Sequence, residues 1–291
     1  MALTFEDYRK HIDQVVADSG QWLGILDENG WPILDLPPVV SLTASETRLS
    51  AESVDCVIPL SGGAGRAAAE ELLAQDITDV DSSGQLIQGD TPARFLCAVR
   101  PGERRTYFLA NPQAEGVATP SQATLSGVEL LDGLAAWPCP SIPSLWKQRN
   151  FSTWTTDASG QTYKTPRELA QIEVANKADG YTEKGKARTV IRELIQDSLD
   201  AVNDIMGWND PHMVVDFGGG VDTSKTVVIR TDDSSIWDTV AEPAKNAGVG
   251  IQVDLWWPGD PAVTVREGDK TVSKAWERPM QVCRVETIRG A

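Results

Sequence analysis

Between Ser235 and Asp260 one short stretch commits the chain to a helix, a stop, a strand and a turn in succession. Ser235 followed by Asp238 has the form of a capping box, in which a hydroxyl takes an unpaired amide of the first helical turn. Ile236, Trp237, Val240, Ala241 and Ala244 then recur at helical spacing, and Gly248 can take the left-handed conformation that ends a helix. Directly afterwards Val249, Ile251, Val253, Leu255 and Trp257 alternate, which predicts a strand buried on one face. Trp256-Trp257-Pro258-Gly259-Asp260 closes the segment. Adjacent residues of a strand point to opposite faces, so at most one of Trp256 and Trp257 is expected in the core. The other covers a loop, meets a partner subunit or binds a ligand, and the pair is the candidate interface site of the chain. Helices mixed with turn-broken, half-buried strands along the chain predict an α+β fold.

The rest of the chain alternates between the same two periods. Phe5, Tyr8, Ile12, Val15 and Val16 share one side of an expected helix over residues 5–17. From Trp22 the pattern turns to short strands, broken at Asp27-Glu28-Asn29-Gly30 and again at Pro37-Pro38. Strands are expected at 40–43 and 54–58, a helix at 67–73, and a hairpin of 94–99 with 105–109 around Pro101-Gly102. From Ala136 to Tyr163 closely spaced Pro, Ser, Thr and Trp predict an irregular connection packed by Trp137, Trp146 and Trp154. Thr165-Pro166-Arg167-Glu168 combines an N-cap, a first-position proline and a reciprocal acid, so a helix is expected from there to Asp179-Gly180. The longest helical stripe runs from Lys186 to Met206 and ends at Gly207. Strands are then expected at 213–217 and 226–230, a hairpin around Glu267-Gly268-Asp269, and a last strand from Val282 to Ile288. These shifts divide the chain into 1–137, mostly β with one inserted helix; 138–210, a Pro/Trp-rich connection and helical insertion; and 211–291, a second α+β part.

Charge and composition exclude several classes of function. With 42 acidic against 26 basic residues the formal net charge is −16, a surface that repels phosphate backbones, so specific nucleic-acid binding is not expected. The chain is 41% hydrophobic and 23% charged, within the range of folded domains. No apolar run approaches a membrane span, and the first residues lack the basic start and apolar core of a signal peptide, so synthesis and folding in a cytoplasm are expected. Cys56, Cys97, Cys139 and Cys283 are too widely spaced for local zinc pairs and are expected as buried, reduced thiols.

No motif carries a complete chemistry. Gly219 to Thr226 is one residue from a phosphate-binding loop, but Ser224 replaces the second glycine and the following Val227-Val228-Ile229 reads as a strand where a helix is required. Ser61-Gly62-Gly63-Ala64-Gly65-Arg66 joins a strand to a helix without the spacing of a dinucleotide fingerprint. Asp232-Asp233 precede a helix, where negative charge is favoured electrostatically, and Asp254 lies on the polar face of a strand. A serine triad would need an elbow motif that is missing and a base from only two histidines, His11 and His212. The expectation is a non-enzymatic protein with no catalytic, cofactor-binding or metal-binding residues.

Three patterns carry a resemblance: 124–131 followed by Pro138-Cys139-Pro140, the helical region 165–206, and the unit from Ile236-Trp237-Asp238 to Pro258-Gly259-Asp260. Together with the strand pair between Leu42 and Leu60, they make the chain resemble the tail-hub or minor tail proteins of long-tailed (siphovirus-type) phages that infect actinobacteria. The resemblance implies two β-barrel-like, tail-tube-like domains with an α-helical insertion, assembled as a homotrimeric ring in the tail-tip baseplate of the virion. The partners it implies are further copies, distal tail or tail-tube proteins and other minor tail proteins, with the tape-measure protein a further candidate. A host-recognition module that binds carbohydrate through an exposed Trp is the second reading, and a cell-wall hydrolase with an unrecognised acid pair is the third.

Overall fold

The computed structural model describes residues 4–47, 49–73, 92–116, 120–141, 151–170 and 181–288. The fold is α+β, with mostly antiparallel sheets, and groups into two compact units. The first comprises Met1–Asp132, Gln252–Ala262 and Lys274–Val282; the second comprises Gly133–Ile251, Val263–Ser273 and Cys283–Ala291.

In the first unit α1 (Phe5–Ser19) opens at Thr4, whose Oγ1 accepts the Asp7 amide at 3.2 Å, and ends at Gly20. A seven-stranded sheet follows, built from β1 (Trp22–Leu26), β2 (Pro32–Asp35), β3 (Ser41–Ala44), β4 (Ser53–Pro59), β5 (Phe95–Arg100), β6 (Glu103–Glu115) and β7 (Gln122–Glu129). Its order is β2-β1-β5-β6-β7-β4-β3, and every neighbouring pair is antiparallel. Alternation decides which face is buried: Val54, Cys56 and Ile58 of β4 and Ala123 and Leu125 of β7 join Ile25, Leu96, Tyr107 and Leu109 in one core. Ala68 of α2 (Gly62–Leu73) packs into that core. The helix starts five residues earlier than its apolar spacing predicts, so Gly62, Gly63 and Gly65 lie inside it. Gly65 must be small, because a Cβ there would stand 2.5 Å from the Pro59 carbonyl. Gly127 is equally constrained: a Cβ would lie 2.6 Å from the Phe108 carbonyl, where the β6–β7 register shifts. β7 leads into a 3-10 turn, Leu130–Asp132.

The second unit is organised by α4 (Ala187–Met206), which follows the short α3 (Gly133–Ala136). The expected stripe is its buried face: Ala187, Val190, Ile191, Leu194, Ile195 and Leu199 are all buried, and Gly207 ends the helix at φ 68°. The first-turn amides of α4 are capped from a distant loop. Ala187 N–H donates to the Lys225 carbonyl, Arg188 N–H to Ser224 Oγ and Thr189 N–H to Asp222 Oδ2. α4 packs against α5 (Ile236–Ala247), β10 (Tyr181–Lys186), β11 (Met213–Asp216) and β12 (Thr226–Thr231). β10 pairs with β12, so residues 226–231 form a strand and cannot open the helix that a phosphate-binding loop requires. The remaining strands are β13 (Val249–Trp256), the hairpin β14 (Val263–Glu267) and β15 (Lys270–Lys274), and β16 (Met280–Thr287). β11, β16 and β13 form a three-stranded sheet in that order, and the division between the units falls within β13 and β16.

One expected helix is replaced by a strand. Residues 165–170 belong to β9 (Thr162–Ala170), paired antiparallel with β8 (Phe151–Thr156) in a segment expected to be irregular. The turn explains the difference: Asp157 Oδ1 accepts the Ser159 and Gln161 amides at 2.8 and 2.9 Å, which folds the chain back on itself. Cross-strand pairing to a Thr- and aromatic-rich partner then outweighs the local helix-start signal at Thr165-Pro166. The rest of that expected helix, 171–179, and Pro143 and Trp146 lie outside the described residues.

Candidate functional site

The turn that closes the Ser235–Asp260 segment is built from its caps outward. Ser235 Oγ accepts the Asp238 amide at 3.0 Å, and Gly248 ends α5 at φ 71° with its N–H directed to the Ala244 and Lys245 carbonyls. β13 then alternates as expected, with Val249, Ile251, Val253 and Leu255 buried. The strand stops at Trp256, however, and Trp257 begins a turn. Strand alternation no longer relates the two indoles, and both are buried, at 3% and 2% exposure. The expectation that at most one could be core is therefore corrected, and neither ring is presented to a partner.

Each indole has a specific internal partner set. Trp256 donates Nε1–H to the Pro261 carbonyl at 2.9 Å and stacks edge-on against Trp276 at 5.3 Å. Trp257 donates Nε1–H to the Gly30 carbonyl at 3.1 Å and meets Phe5 edge-on at 5.8 Å. The Arg104 guanidinium lies 4.3 Å from the centroid of the Trp257 ring. Arg104 also donates to the Leu255 carbonyl at 2.7 and 3.1 Å and pairs with Asp260. Asp260 in turn accepts the Trp257 amide at 2.9 Å and Arg9 at 2.8 Å. Burial alone would raise the Asp260 carboxyl. The hydrogen bond and charge of Arg104, the Trp257 amide and Arg9 outweigh it and hold the group below the usual carboxylate range. The turn is thus a clasp joining helix α1, strand β6 and residues 255–260, all within the first unit.

A second cluster centres on Asp35 of β2. Its Oδ1 accepts Tyr8 Oη–H at 2.9 Å and Trp22 Nε1–H at 2.8 Å, and its Oδ2 pairs with His11 Nε2 at 2.5 Å. Burial works to raise this carboxyl, but the hydrogen bonds from His11, Trp22 and Tyr8 bring it below its ordinary value. Burial and the neighbouring Asp35 push the Tyr8 phenol far up. A carboxylate–imidazole pair can handle protons, yet here both oxygens are spent tying α1 to β1 and β2.

In the second unit Arg266 bridges three acids of α4: Glu193, Asp197 at 2.6 Å and Asp200 at 2.9 Å. Arg284 pairs with Asp216, and Asp233 accepts the Ser141 amide at 2.7 Å. Asp222 shows the same pattern of a carboxyl raised by burial but lowered further by hydrogen bonds from Ser224 and Thr189, down to about 2. All four cysteines are buried, and burial pushes the Cys56 and Cys97 thiols up to about 11 and raises Cys139. Among the described residues no group of three or more His, Cys, Asp or Glu side chains is placed to hold a metal ion. No helix among them is long and apolar enough to cross a membrane.

The tryptophans that do face outward are others. Trp154, expected to pack a connection, is 51% exposed on β8, and Trp208 is 50% exposed just after α4. Trp208 meets the half-buried Trp137 edge-on at 6.2 Å. Trp154 could have been found from its Phe-Ser-Thr-Trp-Thr-Thr surroundings followed by Asp-Ala-Ser-Gly, a strand and turn signal. The position of Trp208 next to the helix-ending Gly207 was a comparable clue. No protein-family model matches the chain, and no curated protein matches it.

Proposed function

We propose that the protein is a structural component of a phage tail tip, a hub subunit that closes the tail tube and connects it to host-recognition proteins. In this reading the two units are the barrel-like domains, and three copies form a ring. The observation that carries it is that the strongest charged clusters are closed on themselves. Asp260 is held by two arginines, Arg266 by three acids and Asp35 by three donors, so the charged groups of these clusters are engaged in fixing one element to another. A chain built this way spends its polar groups on rigidity, which suits a load-bearing ring. Its charge of −16 suits subunits that must stay apart until assembly. Gold-labelled antibody against the chain, applied to purified phage particles, tests this: label at the tail tip with threefold density supports it. Label confined to the capsid, or none on intact particles, overturns it.

The carbohydrate-binding reading moves to different residues, because a sugar face needs an accessible ring. The exposed Trp208 beside Trp137 is the feature that favours it. Binding to isolated host cell wall that disappears in Trp208→Ala would establish that reading instead.

A further inference from the structure

The hairpin of β8 and β9 forms a two-stranded sheet of its own. Of residues 153–168, only Asp157 and Tyr163 are even half-buried; every other side chain is exposed. A two-stranded hairpin alone in water is marginally stable at best, because it has no second layer to cover either face. This one carries the residue types that dominate protein interfaces. Trp154 lies directly across the ladder from Arg167, and Arg167 reaches 4.7 Å from the Tyr163 ring centroid. Among the described residues Arg167 makes no ion pair; its guanidinium is spent on an aromatic face. Trp154, Tyr163 and Arg167 therefore form an outward-facing aromatic platform with a positive charge.

We infer that this hairpin is an assembly arm whose Trp154–Tyr163–Arg167 platform docks on the acidic surface of a second copy of this chain. Charge selects the partner. Residues 151–170 hold Lys164 and Arg167 against Asp157 and Glu168, so the arm is formally neutral while the rest of the chain carries the whole −16. Two copies repel most where acidic bodies meet, and less wherever one side of the contact is a neutral arm. An arm-to-arm contact offers Arg167 only Asp157 and Glu168 of the other arm, whereas an arm-to-body contact sets it against the acidic excess of the whole chain. The second arrangement is head-to-tail, the kind that closes into rings. A free sugar is a poorer occupant, because small-ligand sites are concave and largely pre-formed, and this platform is an open ribbon. The choice of a like copy rests on the assembly reading above, but its test needs no phage particle.

The test uses the purified full-length chain. Thr155→Cys places a thiol on the arm, labelled with a benzophenone maleimide; the four native thiols are buried and react slowly. Illumination is expected to give covalently linked pairs of chains. Trp154→Ala and Arg167→Glu, introduced separately, are expected to weaken self-association by about tenfold or more in sedimentation and to remove the cross-link. Unchanged far-ultraviolet circular dichroism shows that the variants fold. A chain that stays monomeric at every concentration reached overturns the inference. So does cross-linking that survives both substitutions, and so does a monomer whose Trp154 binds cell-wall glycan instead. Because self-association and tail location are read separately, failure here leaves the location result to stand or fall alone.

Discussion

At the scale of single residues, Asp260 shows how one carboxylate can order three segments. Two cations and one backbone amide converge on it, and its side chain is 14% exposed. Asp260→Asn removes the charge and leaves Arg9 and Arg104 facing each other. The expected cost is about 2–3 kcal/mol, below the range for breaking a fully buried pair because both arginines keep some water; chemical denaturation followed by circular dichroism measures it. Asp222 makes a pH-dependent contribution. Its folded value of about 2 lies below the ordinary carboxylate value of about 4, so between them the unfolded chain binds more protons. Its stabilisation is complete above the ordinary value and is lost as pH falls through about 2. Asp222→Asn is expected to flatten the rise of stability with pH across that window, measured by thermal unfolding at a series of acidic pH values. Neither role was legible in the sequence: Asp260 is 156 residues from Arg104, and nothing local pairs them.

Elements were legible where local signals and long-range packing agreed. The α5–β13 unit is the clearest case, since the same residues that cap and periodically pattern it also bury its face. Ser235→Ala should cost about 1 kcal/mol by leaving the Asp238 amide without its acceptor. Gly127→Ala should cost more, about 2–3 kcal/mol, because the added methyl meets backbone that cannot step aside. Thermal melting of the two variants beside the parent chain checks both size and order. Reading failed at Thr165, where a complete helix-start motif sits inside a strand. The motif reports only four residues, whereas the Asp157 turn and the β8 ladder act on all of them together. It failed at Trp257 for the converse reason: alternation predicts faces only while the strand lasts, and the strand ends one residue sooner.

For the whole molecule, charge is the property that sequence conveyed most directly and structure refined. An excess of 16 negative charges sets a long-range repulsion between copies, screened over about 8 Å at physiological salt. Raising the salt concentration should therefore increase the self-associated fraction, since the collective repulsion outweighs any single contact at Arg167. Sedimentation at low and high ionic strength measures this, and a lower associated fraction at high salt would show that complementary charges dominate. The division into units is different. Each draws on separated stretches of chain, and no shift in composition or period announces such interleaving.

The clasp at Asp260 also has a temporal meaning. Arg9 and Arg104 leave the ribosome long before residues 252–262 have been made, so the earlier half of the first unit must wait for a late piece of itself. A nascent chain that stops before those residues leaves two cations without their shared carboxylate. Synthesis through residues 252–262 is thus a condition for rigidity, which keeps shorter products out of any larger assembly.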